Sequence, residues 1–290
     1  MGPGVSIYMY KIVSKRELNA SVILMEVEAP LIARKAKAGQ FIIFRVDEFG
    51  ERIPLTIADF DREKGTVTII FQLVGKSTKI LGAKVPGDTI LDFVGPLGQA
   101  TEIEGYKKVC VVGGGVGCAI AYPSAKALFQ SGAEVDIIAG FRNKDIVILE
   151  DEMRAVSTRL FLTTDDGSYG AKGFVTDQLA SLIKAGGDYD LVIAIGPVIM
   201  MKMVAAVTKP FGIKTLVSLN PIMIDGTGMC GGCRVTVGGK IRFACVHGPD
   251  FDGHQVDFDE LMRRNTVYKK QELSDADHVC RLGLEVKKNG

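Results

Sequence analysis

Up to about Gly98 the apolar positions recur at a period of two in short runs: Ile7–Val13, Ala20–Glu28, Gln40–Val46, Thr56–Asp61, Thr66–Leu73 and Thr89–Val94. Turn residues at Gly65, Gly75 and Pro86-Gly87 punctuate them. Alternation with frequent turns predicts an antiparallel β-barrel over residues 1–98. From Lys107 the pattern changes to continuous apolar runs alternating with helical spacing: Val109–Val112, Ala119–Gln130, Val135–Gly140, Leu149–Val156, Leu160–Thr163, Val175–Ile183, Leu191–Ile195, Val198–Thr208 and Thr215–Leu219. Runs of this kind predict an α/β domain with a parallel sheet over residues 99–221, helices on both faces. After Pro221 the chain is rich in Gly and Cys as far as Gly253, and a polar, helical stretch at Asp257–Arg264 leads into a charged end. A small third element over residues 222–290 completes an α+β multidomain architecture.

Length agrees with this division, because 290 residues exceed what one compact domain usually holds. Lys and Arg number 35 against 34 Asp and Glu, with no long basic run, so a nucleic-acid backbone has no electrostatic footprint to meet. The longest apolar stretches fall well short of the ~20 residues that span a bilayer, and no signal peptide opens the chain. A cytoplasmic location is expected. Of six cysteines, Cys230, Cys233 and Cys245 lie close together while Cys110, Cys118 and Cys280 stand apart. In a long chain without a secretory signal, that grouping points to a metal or redox site and not to a disulfide framework.

In the α/β half, strand Lys108–Val112 runs into Gly113-Gly114-Gly115-Val116-Gly117 and then a helix. Such a turn presents backbone N–H groups at a helix N-terminus to a pyrophosphate, although close strand-to-helix packing alone also demands glycine. The acid that usually binds ribose after the second strand is missing. Arg142 and Lys144 stand there instead, either to meet a 2′-phosphate or to be solvated, which leaves NAD and NADP both open. Two further loops follow apolar strands: Thr163-Thr164-Asp165-Asp166-Gly167-Ser168 and Gly196-Pro197. Each is either a ligand loop at a strand's carboxyl end or a plain turn and helix start.

In the barrel half, Arg52-Ile53-Pro54-Leu55-Thr56 enters a strand, and Gly75-Lys76-Ser77-Thr78 opens a short helix. An arginine, hydroxyls and a glycine-opened helix end suit phosphates and a polar ring edge; a strand entrance and a capped helix are the alternative.

Taken in order, R-x-P-L-T, G-K-S-T, V-V-G-G-G-V-G, T-D-D-G-S-Y-G, I-G-P and a Cys-rich end resemble the ferredoxin–NADP reductase superfamily over essentially the whole chain. Within it the chain is most similar to electron-transfer subunits with a C-terminal [2Fe–2S] cluster, those of dihydroorotate dehydrogenase and of NADH-dependent ferredoxin:NADP oxidoreductase. The resemblance implies FAD on the barrel, with Pro54, Leu55 and Thr56 at the isoalloxazine and Gly75, Lys76, Ser77 and Thr78 at the pyrophosphate. Arg52 is the expected pyrophosphate arginine, but the family motif is commonly Arg-x-aromatic-Ser/Thr, so Arg52 stands one position too far back and Leu55 replaces the aromatic. For NAD(H) it implies Gly113, Gly114, Gly115, Val116, Gly117, Asp165, Asp166, Gly196 and Pro197, to which the position of Arg142 after the second strand adds a candidate.

Cys230 and Cys233, spaced Cys-x-x-Cys on a glycine loop, are joined by Cys245 after a hairpin over Arg234–Phe243, and four ligands are reached only with Asp225. Asp225 stands where the dihydroorotate relatives have their first cysteine, a pattern similar to the small subunit of the ferredoxin:NADP oxidoreductase. Zinc held by the three cysteines with Asp225 or His247 fits the spacing too and would suit a non-catalytic regulatory subunit. His247, His254 and His278 are expected on the surface or fixing loops. Cys110 is expected to fill core, and Cys118 is either packed or lowered in pKa at its helix start. The resemblance implies hydride exchange between NAD(H) and FAD, then single electrons to the cluster. It also implies a heterodimer with a larger subunit carrying flavin and [4Fe–4S] clusters.

Overall fold

The computed structural model describes residues 9–268. The first residues of the strand expected over Ile7–Val13, the charged end, His278 and Cys280 lie outside that range.

The first half comprises β1 (Tyr10–Asn19), β2 (Val22–Glu28), α1 (Pro30–Lys35), β3 (Phe41–Arg45), β4 (Ile53–Asp61), β5 (Thr66–Gln72), α2 (Lys76–Ala83), β6 (Thr89–Ile90) and β7 (Asp92–Leu97). Its strands form one antiparallel sheet in the order β6-β1-β2-β5-β4-β3-β7. Since β6 and β7 are neighbours in the chain yet occupy opposite edges, the sheet curls into a nearly closed barrel around Ile12, Met25, Ile42, Phe44, Ile57, Ile69 and Phe93. The single strand expected over Thr89–Val94 is thus two, divided at Leu91 where the chain passes from pairing with β1 to pairing with β3. β4 begins at Ile53, three residues earlier than its alternation indicates, because Ile53, Pro54 and Leu55 already pair with β3.

The second half comprises β8 (Lys108–Gly114), α3 (Gly117–Gln130), β9 (Glu134–Phe141), α4 (Glu150–Ala155), β10 (Arg159–Thr164), β11 (Ala171–Lys172), α5 (Val175–Lys184), β12 (Leu191–Ile195), α6 (Val198–Thr208) and β13 (Lys214–Ser218). Strand order is β11-β10-β9-β8-β12-β13, all parallel, with α3 packed on one face and α5 and α6 on the other. Chain direction across the sheet reverses between β8 and β12, which is where open α/β sheets place their ligands.

The last part comprises the hairpin β14 (Arg234–Val237) and β15 (Lys240–Phe243), α7 (Ala244–His247), β16 (Asp250–Asp252) and α8 (Phe258–Asn265), the last capped by the Asp257 carboxylate on the Glu260 amide at 2.8 Å. β16 was not evident in the sequence: it pairs antiparallel with β13, Val217 opposite Phe251, and forms the edge of the large sheet. Cys233, Val235, Ala244 and Cys245 are buried in the same core as Val112, Ile138, Val192, Met201 and Val204 of the α/β half, and as Phe41 and Ile43 of the barrel. Among the described residues no helix is long and apolar enough to cross a membrane.

The three parts meet at residues 98–101. Gln99 donates its amide to Gly248 O (2.6 Å) and its side chain to Val246 O (2.9 Å), while the Thr101 amide reaches Ala38 O of the barrel (2.9 Å). The Thr101 hydroxyl donates to Asp250 Oδ2 (2.6 Å) and lies 3.2 Å from Ser124 Oγ on α3. Asp250 Oδ1 is out of solvent, and burial outweighs the Thr101 and Ser218 hydroxyls beside the carboxyl and pushes it above its ordinary value of 3.8. Above that value the unfolded chain ionises while the folded chain holds its proton, so the group lowers stability as pH rises through this window. Asp250→Asn is therefore expected to match the wild type below the ordinary aspartate pKa and to melt progressively higher than it as pH climbs toward neutrality. Thermal melts across that range check the sign.

Candidate redox site

One end of the α/β half is assembled by the carboxyl ends of β8, β9, β10 and β12, and the parallel register brings them to one edge: Gly113 lies opposite Ala139 and Ile195, and Thr163 opposite Gly140. α3 starts at Gly117 with no side chain capping it; the Cys118 and Ala119 amides close back on Gly115 O (3.1 Å) and Val116 O (3.0 Å), and the Gly115 amide donates to Gly140 O (2.8 Å). Gly117 is required by contact: a Cβ there would sit 2.4 Å from Ile195 O and 2.8 Å from Gly196 Cα. Gly196 in turn abuts Gly114, and Pro197 precedes α6. Phe141 O and Arg142 O accept the amides of Asp165 (3.0 Å) and Asp166 (3.3 Å), which joins the loops after β9 and β10. Asp166 accepts from the Ser168 amide (2.9 Å), and its hydrogen bonds to Ser168 hold its carboxyl below the usual range. Gly113 to Gly117, Arg142, Asp165, Asp166, Gly196 and Pro197 therefore share one rim. An uncapped helix end with glycine on both approaches has the chemistry of a pyrophosphate site.

On the barrel, Pro54, Leu55 and Thr56 are half-buried on β4, opposite Ile43, Ile42 and Phe41 of β3. Gly75 precedes α2 in extended conformation, with open space where a Cβ would be, and Lys76 is exposed. Ser77 and Thr78 are buried and turned inward. The Thr78 hydroxyl accepts from the amides of Val74 (3.2 Å) and Gly75 (3.1 Å), and Ser77 donates to Glu51 Oε2 (2.9 Å). Their hydroxyls thus fasten the turn, while Gly75 and Lys76 are left facing outward beside a recess of about 100 Å³ lined by Phe49 and Glu51. The Arg52 Nε donates to Ile224 O at 3.1 Å.

In the Cys-rich part, α7 carries Cys245 back against Cys233, with the two sulfurs 3.2 Å apart and both buried. Burial, then the Cys233 thiol, pushes the Cys245 thiol up to about 12, so metal loading must displace a proton from Cys245. Cys230 is exposed on the preceding loop. Asp225 closes that loop, accepting from the amides of Thr227 (2.9 Å) and Cys230 (2.8 Å); these bonds, the Thr227 amide foremost, hold its carboxyl below the usual range. Among the described residues no three such side chains converge on one point as they stand, so the fold joins Cys233 to Cys245 and leaves Cys230 and Asp225 on the adjoining loop. The donor set fits an iron–sulfur centre: two buried thiols, a third on a glycine loop and an anionic carboxylate beside it. His247 is occupied, its Nδ1 accepting from the Phe243 amide at 3.0 Å, and His254 meets the Thr208 hydroxyl at 2.9 Å. Cys110 fills core, and burial pushes Cys118 up to about 12, so that thiol is packing and not a reactive group.

Residues 220–257 match the iron–sulfur cluster binding domain of dihydroorotate dehydrogenase B. The chain is 56% identical over 272 residues (91% of this chain, 92% of the other) to an uncharacterized protein in the adh 3′ region of Clostridium beijerinckii. It is 49% identical over 262 residues (90% and 92%) to the dihydroorotate dehydrogenase B (NAD(+)) electron transfer subunit homolog of Thermotoga maritima. A solved structure of NADH-dependent reduced ferredoxin–NADP oxidoreductase, studied for flavin-based electron bifurcation, superimposes with a TM-score of 0.88 at 45% identity, covering 97% of this chain and 100% of that one. An iron–sulfur match over the cysteine loops goes against the zinc alternative and, with the flavin-reductase fold, supports FAD, a [2Fe–2S] cluster and NAD(H) as the cofactor set. The chain belongs to the dihydroorotate dehydrogenase B electron-transfer subunit family, a branch of the ferredoxin-reductase-like flavin oxidoreductases.

Proposed function

We propose that this chain is the small subunit of a bifurcating NADH-dependent ferredoxin:NADP oxidoreductase, working in the cytoplasm as a heterodimer with a larger subunit that carries flavin and [4Fe–4S] clusters. The observation that carries this reading is Asp225. It sits at the head of the cluster loop, where the dihydroorotate dehydrogenase pattern has cysteine, and its carboxylate is held anionic by two amides. The 45% identity to the ferredoxin–NADP oxidoreductase chain over its full length supports the same reading.

When bound, the flavin exchanges a hydride with the nicotinamide, and the cluster passes electrons singly. The residues of the chain supply binding and placement. Gly113 to Gly117 and the start of α3 hold the dinucleotide pyrophosphate. Arg142, Asp165 and Asp166 face its adenosine side, and Gly196-Pro197 admit the nicotinamide without bulky side chains. Pro54, Leu55 and Thr56 line the isoalloxazine, with the Thr56 hydroxyl as the polar group, and Gly75 and Lys76 the phosphate end. Asp225, Cys230, Cys233 and Cys245 hold the cluster. Hydride transfer requires no side-chain acid or base, so none is assigned.

The match over residues 220–257 and the Thermotoga relative favour a second reading, the electron-transfer subunit of dihydroorotate dehydrogenase. Anaerobic isolation of the tagged chain with its native partner separates the two. NADP⁺ reduction that needs both NADH and reduced ferredoxin is the expected result; dihydroorotate-dependent NAD⁺ reduction by the isolated complex would establish the second reading instead.

A further inference from the structure

Arg52 stands one position farther from Leu55-Thr56 than the family's flavin motif places its arginine, and its contact in the fold accounts for the shift. Nε donates to Ile224 O at 3.1 Å, across 172 positions of sequence. Ile224 directly precedes Asp225, and Asp225 ties the Thr227 and Cys230 amides together, so a displacement of Ile224 is passed to Cys230. The next residue lies against the barrel wall. Gly226 adopts φ +76°, and a Cβ there would come within 2.7 Å of Ile43 Cδ1 and 2.8 Å of Leu97 Cδ1. Ile43 in turn pairs with Pro54, on the strand expected to carry the flavin edge. The cluster loop is therefore seated on β3 and β7 by a close backbone approach, and Arg52, just before β4, adds a hydrogen bond to it.

We propose that Arg52 is a positioning residue for the cluster loop and not a phosphate ligand of the flavin: it pins Ile224 to the start of β4 and thereby sets the spacing between the flavin strand and Cys230. A neutral carbonyl asks for an N–H donor, not for a charge. This assignment rests on the flavin and cluster reading above.

Three variants of the full chain separate donor from charge. Glutamine places an amide nitrogen at the same point along the side chain as Nε but carries no charge; lysine keeps the charge and puts a methylene there; alanine has neither. Each is assayed for acid-released flavin per chain, for the rate of cluster reduction relative to flavin reduction on mixing with NADH, and for amide exchange over Asp225–Cys230. Arg52→Gln is expected to behave as the wild type. Arg52→Lys and Arg52→Ala keep their flavin, but their loop amides exchange about fivefold faster, the weight of one hydrogen bond to a carbonyl in the opening equilibrium, and cluster reduction lags flavin reduction relative to the wild type. Flavin lost from the Gln and Ala variants and kept by Lys would make Arg52 a phosphate ligand and overturn the proposal. Unchanged rates and exchange in all three would overturn it too. A wild-type chain isolated without flavin or iron would instead overturn the cofactor reading, and loop exchange would still decide the role of Arg52.

Discussion

Serine at Cys233 or Cys245 is expected to leave a yellow protein without iron. The two thiols are 3.2 Å apart and 1–2% exposed, in the core shared with the parallel sheet. A hydroxyl is a harder and far less acidic donor than a thiol, so a site that lost either sulfur no longer holds iron tightly. The buried hydroxyl also lacks an assured partner, which costs about 1–3 kcal/mol of stability. Flavin stays, because the barrel closes around its own core. Cys230→Ser loses the iron without the stability penalty, since that thiol is exposed. Iron analysis, visible absorbance and urea titration read the three effects separately, and full iron content in Cys233→Ser would refute the ligand assignment.

Gly117→Val should abolish flavin reduction by NADH and destabilise the chain by about 3 kcal/mol, toward the upper end of overpacking costs. The added carbons meet Ile195 O and Gly196 Cα, backbone atoms that no side-chain rotation can move. Relief comes only by lifting α3 away from β12, which opens the rim where Gly113 to Gly117 meet Gly196. Gly132→Ala is the control. Gly132 lies outside the rim at φ +92° with nothing within 4 Å of a Cβ, so alanine there costs only the left-handed strain of about 1 kcal/mol. An anaerobic NADH titration beside urea unfolding checks both, and normal bleaching in Gly117→Val would show that the dinucleotide does not bind across this turn.

The glycine turn between β8 and α3, and the rim it belongs to, were legible because their signals are local. A buried strand, a glycine run and a helix follow one another within Lys108–Gln130, and the parallel register does the rest. The return of Cys245 to Cys233 was legible from the hairpin and its Gly238-Gly239 turn. What the sequence concealed is long-range or too short for periodicity. Ser77 and Thr78 have the composition of phosphate ligands, and only the fold shows their hydroxyls spent on Glu51 and on the Val74 and Gly75 amides. Nothing near Arg52 announces Ile224. β16 is three residues with one buried side chain, below what alternation can reveal, and α1 offered only Pro30 as its start signal. The buried carboxyl of Asp250 depends on Thr101, 149 positions away.

The pairing of β16 with β13 bears on how the molecule can be divided. The chain leaves the large sheet after Ser218 and rejoins it at Asp250, so the cysteine loops are an excursion from the sheet's margin. A chain ended at Asn220 would leave the N–H and C=O groups of β13 unpaired along that margin, beside the exposed flank of a core built to be shared. Bare strands of this kind recruit other strands. A two-cofactor fragment made by such a cut would self-associate in gel filtration, whereas removal of the loops with β16 and α8 retained and the gap bridged would leave the sheet closed and the fragment monomeric.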